Sequence, residues 1–324
     1  MDNCVEYILC HGSGNRFVMI DGVEQCALLQ GIDLCSLARQ LCDKNSPTGG
    51  SDGLLMVVRY GEGYAMRMFN PDGSEAEMCG NGIRCAARLI HERYIAEAEF
   101  DVWSGGKPHH VTLQEEIGEG LPTFGVDIAI SLTSRDFPLF AVEGLVGKEI
   151  ASLDEALPFT ALNLGNPHIV ARVERVDMAQ LESLGERVKH LREVLPNGVN
   201  VSLYEVLSEG EIFVATYERG AGITYSCGTA MTASATAAAL LGYVPFGESV
   251  RVLNRGGMVR CMPNRNAAGE ISTRLTGNAT YVAEGSFVLD DGRVTSFSEQ
   301  HNFRAEVEAY ERFAKALSND IKRN

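Results

Sequence analysis

One pattern occurs twice in this sequence and constrains everything around it. Met78-Cys79-Gly80-Asn81-Gly82 is answered 148 residues later by Ser226-Cys227-Gly228-Thr229-Ala230. In each, a cysteine precedes a glycine and then a helical run, Ile83 through Ile90 in the first copy and the alanine-rich Met231 through Leu241 in the second. A cysteine so placed opens a helix. There the unpaired backbone N–H groups and the positive end of the helix dipole favour a thiolate, and the glycine lets an anion approach the main chain. Both copies sit in the same order of events: strands, a polar turn, the Cys-Gly step, a helix, more strands. The chain therefore reads as two related domains built on a divergent internal repeat. The expected boundaries are an N-terminal domain over 1–132, a C-terminal domain over 133–275, and a terminal segment, 276–324, that returns to pack on the first.

The local signals fill in this outline. Tyr7-Ile8-Leu9 and Phe17-Val18-Met19-Ile20 read as strands around the polar loop His11-Gly12-Ser13-Gly14-Asn15. Asp33 is placed to cap a helix over Leu34–Leu41. Leu54–Val58 and Tyr64–Phe69 read as strands, and the second ends at the turn Asn70-Pro71-Asp72-Gly73. In the second half, strands are expected at Ala161–Leu164, Ile169–Ala171, Asn200–Val206 and Glu211–Tyr217, with a polar helix over 177–194. Phe303, Val307, Tyr310, Phe313 and Leu317 recur at helical spacing near the end of the sequence. They predict a terminal amphipathic helix packed on the body.

Composition excludes several classes of function. A net charge of −15 with only 28 Lys and Arg, and no basic cluster, argues against nucleic acid or an anionic membrane as a partner and for small molecules. No apolar run is long enough to span a bilayer and the first residues lack the plan of a signal peptide, which points to the cytoplasm. Nine cysteines without a regular framework predict reduced thiols, with Cys26, Cys35 and Cys42 buried among apolar helical residues. No ligand spacing supports a metal site.

Two such thiols, if they faced one another, would be a pair of acid/base groups. At this point the residues carry a resemblance. Asp72 through Cys85, with Cys79-Gly80-Asn81-Gly82 at its centre, is similar almost residue for residue to the first active-site motif of the diaminopimelate epimerase family. Gly165-Asn166-Pro167-His168, Asn200-Val201, Glu218-Arg219-Gly220-Ala221-Gly222 and Cys227-Gly228-Thr229 resemble its other motifs in order, and residues 11–15 resemble its opening loop. The similarity spans residues 7 to about 285. It implies an α/β fold of two pseudo-symmetric domains, each a mixed sheet or barrel wrapped around a central helix, with the active site in the cleft between them. It also implies an isomerase that interconverts LL- and meso-diaminopimelate in lysine and cell-wall precursor synthesis without pyridoxal phosphate or any other cofactor. A homodimer is left open.

By motif, Cys79 and Cys227 would be the two acid/base thiols, and His168 and Glu218 the groups that assist them. Gly80-Asn81 and Gly228-Thr229 would hold the reacting carboxylate. Asn15, Asn70, Asn166, Asn200, Glu218 and Arg219 would bind substrate, with Arg219 on the distal carboxylate. The sequence departs from the family pattern at Arg16, at Ile223-Thr224-Tyr225-Ser226, at Ala230-Met231, and in a tail beyond about residue 292.

Other readings compete. By spacing alone Cys79 reads as a buried structural thiol like Cys85, His168 as a turn residue, and Glu218 with Arg219 as a surface ion pair. A related racemase for histidine or proline keeps both thiols but needs no arginine for a distal carboxylate. A cysteine hydrolase built on Cys79 and His168 leaves Cys227 unexplained. A non-catalytic amino-acid-binding protein needs neither thiol. A pyridoxal-dependent racemase needs a Schiff-base lysine, and no lysine lies in the motif segments.

Overall fold

The computed structural model describes residues 3–134 and 143–323, with side chains as far as Leu317. The first stretch of the chain holds β1 (Cys4–Gly12), β2 (Asn15–Asp21), α1 (Cys26–Leu29), α2 (Leu34–Leu41), β3 (Gly53–Tyr60), β4 (Gly63–Phe69), β5 (Glu75–Ala76), α3 (Gly80–Arg93), β6 (Glu99–Ser104), β7 (Lys107–Gln114) and β8 (Thr123–Ile130). There follow β9 (Lys148–Ile150), β10 (Asp154–Asn163), β11 (Pro167–Arg172), α4 (Met178–Val188), β12 (Asn200–Ser208), β13 (Glu211–Glu218), β14 (Gly222–Thr224), α5 (Gly228–Leu240), β15 (Val250–Asn254), β16 (Gly257–Arg265) and β17 (Ile271–Asn278). The chain ends with β18 (Thr280–Asp290), β19 (Arg293–Asn302) and α6 (Arg304–Arg323). It divides into two compact units, one of Met1–Val126 with Thr276–Ala316 and one of Asp127–Leu275 with Leu317–Asn324.

In unit 1 the β1–β2 hairpin turns at Ser13 and Gly14, both at positive φ (53° and 81°). Its strands pair in the antiparallel register Ile8↔Met19 through Gly12↔Asn15. β2 then runs parallel to β3, a pairing that requires the crossover through α2. Asp33 caps α2 by accepting the Cys35 N–H at 3.0 Å, as its position before the apolar run predicts. β3–β4 is antiparallel, β4–β6 parallel with α3 as its crossover, and β6–β7 antiparallel. β18 adds to the other side of β1, and β19 to β18.

Unit 2 repeats this plan strand for strand. β10–β11 antiparallel, β11–β12 parallel, β12–β13 antiparallel, β13–β14 antiparallel, β13–β15 parallel and β15–β16 antiparallel match, in order and sense, β1–β2, β2–β3, β3–β4, β4–β5, β4–β6 and β6–β7. The repeat read from two cysteines is therefore a repeat of topology. The mixed α/β class is the one expected.

Each unit wraps its sheet around one helix. α3 touches β1, β2, β3 and β4, and α5 touches β11, β12, β13, β15 and β16. Gly80 through Ile90 of α3 and Gly228 through Ala239 of α5 are all buried. α5 meets this covering on all faces with side chains that are mostly Ala and Thr. Full burial of Ile83, Leu89 and Ile90 contributes roughly 1.5–3 kcal/mol each.

Two local expectations are corrected. The polar helix ends at Val188 rather than 194, because Lys189, His190 and Leu191 turn to tighter bonds on the carbonyls three residues back, and Pro196 cannot continue a helix. Cys26 is exposed and Cys35 partly so, whereas Cys42 is buried; of the four residues of α1 only Leu28 and Leu29 pack partly on the core. The cysteines of the described chain are free. No helix of the described residues is long and apolar enough to cross a membrane.

Candidate active site

The first half-site is built where β1–β2 meets the start of α3. Cys79 is the N-cap of α3, with extended backbone (φ −140°, ψ 107°). Its Sγ takes the place of the usual serine or aspartate oxygen, accepting the Gly82 N–H at 3.4 Å. The thiol points at Asn15 Oδ1, 4.0 Å away, and Asn81 Nδ2 donates to the same oxygen at 3.4 Å. Asn15 is held in turn by donating from Nδ2 to Asp52 Oδ2 at 2.7 Å. Asn15, Cys79, Gly80 and Asn81 are thus brought together. Asn70 is not joined to them by a hydrogen bond: it anchors the turn before β5, its Nδ2 donating to Ser74 Oγ at 2.9 Å.

The second half-site is its counterpart at the start of α5. Cys227 is the N-cap, again extended (φ −126°, ψ 105°), with the Ala230 N–H against its sulfur. The sulfur also shares a hydrogen bond with Thr229 Oγ1 at 3.5 Å. Asn166 Nδ2 donates to that hydroxyl at 3.3 Å, and Asn166 Oδ1 lies 3.0 Å from His168 Nε2, so Cys227, Thr229, Asn166 and His168 form one chain of contacts. His168 is fully buried on β11 next to Asn200 of β12, and its Nδ1 has no protein partner among the described residues. Asn200 Oδ1 accepts the Arg219 N–H at 2.9 Å, while the Arg219 guanidinium is exposed and donates to Asn197 O at 2.6 Å. Glu218 lies beside Cys227 and accepts a bond from Thr224 Oγ1.

The electrostatics differ from the sequence expectation. Burial pushes the Cys79 thiol up to about 11 even though the Gly82 and Asn81 N–H groups and the Arg84 cation pull it down. Burial also raises Cys227 well above the ordinary thiol value, and the adjacent Glu218 carboxylate adds to it, against the opposing bonds from Thr229 and the Ala230 N–H. A helix start alone does not make a thiolate when the sulfur is taken out of water. His168 is driven down to about 3 by burial and by the nearby Arg219 charge, so its ring is neutral at pH 7.

Sequence reasoning missed three contributors. Thr224 is visible only as part of a departure from the family pattern, and Asp52 carries no signal. Arg84 carries one: it is a charged residue inside the apolar run Ile83 to Ile90, and it is fully buried. Among the described residues no group of three His, Cys, Asp or Glu side chains is arranged to hold a metal ion.

The fold is shared with solved structures of low sequence identity. A Bacillus anthracis phenazine biosynthesis protein of the PhzF family superposes with a TM-score of 0.65 over 88% of this chain and 99% of its own, at 16% identity. A probable proline racemase from Agrobacterium radiobacter gives 0.61 over 88% and 93%, at 15% identity. These likenesses define a two-domain fold of the epimerase type. Sequence narrows it. The sequence model of diaminopimelate epimerase matches residues 7–121 and 160–282. Diaminopimelate epimerase of Clostridium acetobutylicum is 37% identical over 95% of this chain and 93% of its own, and that of Ligilactobacillus salivarius 37% over 97% and 99%. The chain belongs to the diaminopimelate epimerase family and is an isomerase. Alignment over 97% of the chain necessarily takes in most of the stretch beyond residue 292, so that tail is shared with such relatives rather than peculiar to this sequence.

Proposed function

We propose that this protein interconverts LL- and meso-diaminopimelate by a two-base mechanism in which Cys79 and Cys227 act on opposite faces of one Cα. The observation that carries this is the repeated half-site: in each unit a cysteine caps the N-terminus of the buried central helix. Inversion at an amino-acid Cα needs one group to take the proton and another to return one from the other side. A thiolate and a thiol do this as a matched pair, exchanging states in each turnover.

The Cα–H beside an ammonium and a carboxylate is a weak acid, so charge building on the carboxylate in the transition state has to be met by fixed donors. The free N–H groups in the first turns of α3 and α5, at Gly80-Asn81 and Gly228-Thr229, are suited to that task. Substrate arrival brings an ammonium close to the sulfurs, which favours ionisation of one of them over the resting state described above. His168, neutral and hydrogen-bonded to Asn166, and Glu218, beside the Cys227 sulfur, assist by balancing protons in unit 2. Asn15, Asn70, Asn166, Asn200 and Arg219 hold the rest of the substrate, with the exposed Arg219 fork on the distal carboxylate. Lysine and peptidoglycan-precursor synthesis in the cytoplasm is the setting this activity fits.

Incubation of the purified, reduced protein with LL-diaminopimelate in D2O tests it. The expected result is stereoinversion with deuterium entering at Cα, lost by several orders of magnitude in Cys79→Ala and in Cys227→Ala. Inversion without exchange, or full activity in the double variant, would sink the two-thiol mechanism.

A further inference from the structure

We propose that Arg84 is a positioning residue of the first half-site: its buried guanidinium fixes the Gly80-Asn81 step after Cys79 and sets a permanent cation behind that thiol, where unit 2 holds only a neutral hydroxyl. The inference rests on the reading of Cys79 as an acid/base group.

Arg84 is the largest fully buried side chain of the described residues. Its Nη1 donates to Gly80 O at 2.8 Å, and Nη2 to Asn81 Oδ1 at 3.0 Å and to Ser13 Oγ at 3.1 Å, while Nε donates to Asn278 O at 3.3 Å. One planar fork therefore ties the helix start that carries Cys79 to the β1–β2 turn and to Asn278. The chain makes room for it: a Cβ on Gly12 would lie 2.9 Å from Nη2, and a Cβ on Gly277 3.0 Å from Cζ. A buried cation is costly, and such a tailored cavity around one is not what packing alone produces.

Unit 2 shows what the same place looks like without it. Arg84 stands five residues after Cys79, and Thr232 stands five after Cys227. Thr232 Oγ1 donates to Gly228 O at 2.8 Å, so the corresponding carbonyl is held, but by a neutral group. The charge beside Cys227 is instead the Glu218 carboxylate. Cys85 on α3 is the other ionisable group acting on Cys79, Asp52 reaches the thiol through Asn15, and Arg84 itself is faced by His11 of β1, with Arg16 of β2 beside it, and by Tyr310 of α6. His11 is held neutral, pushed down to about 4 by burial with Arg16 and Arg84 nearby. Arg84 is the cation that acts directly on Cys79. The two thiols are thus unequal by construction.

The test compares wild type, Arg84→Met and Arg84→Lys as full-length protein. Iodoacetamide labelling of the Cys79 and Cys227 peptides is followed against pH by mass spectrometry, beside kcat and KM. In a folded Arg84→Met, Cys79 labelling should move to higher pH with Cys227 labelling in place, and kcat should fall on the order of a hundredfold with KM changed less than about threefold. Arg84→Lys keeps the charge but not the fork, so Cys79 labelling should stay near wild type while kcat falls about tenfold. An unmoved Cys79 profile in folded Arg84→Met, or wild-type kcat in Arg84→Lys, overturns the proposal. If Arg84→Met does not fold by circular dichroism, kcat of Arg84→Lys decides alone. Labelling needs no turnover, so wild-type protein that fails to epimerise would refute the proposed function and leave the Cys79 profile to judge Arg84.

Discussion

Cys227 sits beside the Glu218 carboxylate, and that neighbour raises its pKa beyond what burial does alone. A counter-intuitive result is expected from Glu218→Gln. The amide keeps an oxygen for Thr224 Oγ1 but removes the negative charge. Cys227 should then label with iodoacetamide at lower pH than in wild type, although, on the proposed role of Glu218 in proton balance, epimerisation falls on the order of a hundredfold. Slower labelling, or no change, would show that the carboxylate does not act on the thiol. The two cysteines and Glu218 are legible in the sequence, since the Cys-Gly-helix pattern and the Glu-Arg-Gly run mark them. The sign of the pKa shifts is not. It depends on how far the sulfurs are withdrawn from water, and a helix-start motif says nothing about that. Asn70 shows the converse limit: the turn it starts is written in Asn-Pro-Asp-Gly, yet its amide is engaged with Ser74 of that turn and not with Cys79.

Among the elements, α6 is the one whose existence is plain in the sequence and whose attachment is not. Its apolar spacing predicts a helix, and Tyr310 and Phe313 do pack inward, the first with its ring 4.3 Å from that of His11 and the second against Gly118. The anchor is an ion pair between residues far apart in sequence. Arg88 on α3 donates to both oxygens of Glu306, at 2.6 and 2.8 Å, and its guanidinium lies 3.6 Å from the centre of the Tyr281 ring. Glu306 also accepts the Tyr281 N–H at 3.0 Å. The pair is largely buried, so losing one partner leaves the other poorly solvated. Arg88 retains Glu92, one turn along α3, which limits the damage. Glu306→Ala should therefore cost about 2–3 kcal/mol of unfolding free energy, and Arg88→Met more, since it strands Glu306 and removes the contact with Tyr281. Denaturant titration checks this. A loss below about 0.5 kcal/mol for Glu306→Ala, typical of an exposed pair, would mean that α6 is held by its apolar face alone.

At the scale of the whole molecule, the repeat was legible because topology needs few signposts: two helix starts, a turn before each, and strand patterns on either side. The strand pairings that make it a repeat cannot be read that way, since they join residues from distant parts of the chain, as β1 with β18. Burial of titratable groups is another property of the assembled chain, and it has a measurable consequence. Each unit buries a neutral histidine: His11 in unit 1, lowered from 6.5 to about 4, and His168 in unit 2, lowered from 6.5 to about 3. Both folded values are depressed, so below pH 6.5 the unfolded chain binds protons that the folded chain refuses. Their contribution is intact above that pH. It drains away as pH falls towards 4 for His11 and towards 3 for His168, at about 1.4 kcal/mol per pH unit for each ring. Carboxylates titrate over part of the same range, so the test is a difference between proteins. Against wild type, His11→Gln and His168→Gln should each lose less stability between pH 6.5 and 4.5, seen as a shallower fall of Tm by about 2–4 °C for each kcal/mol spared. The same slope in wild type and both variants would mean that neither ring is kept neutral by the fold.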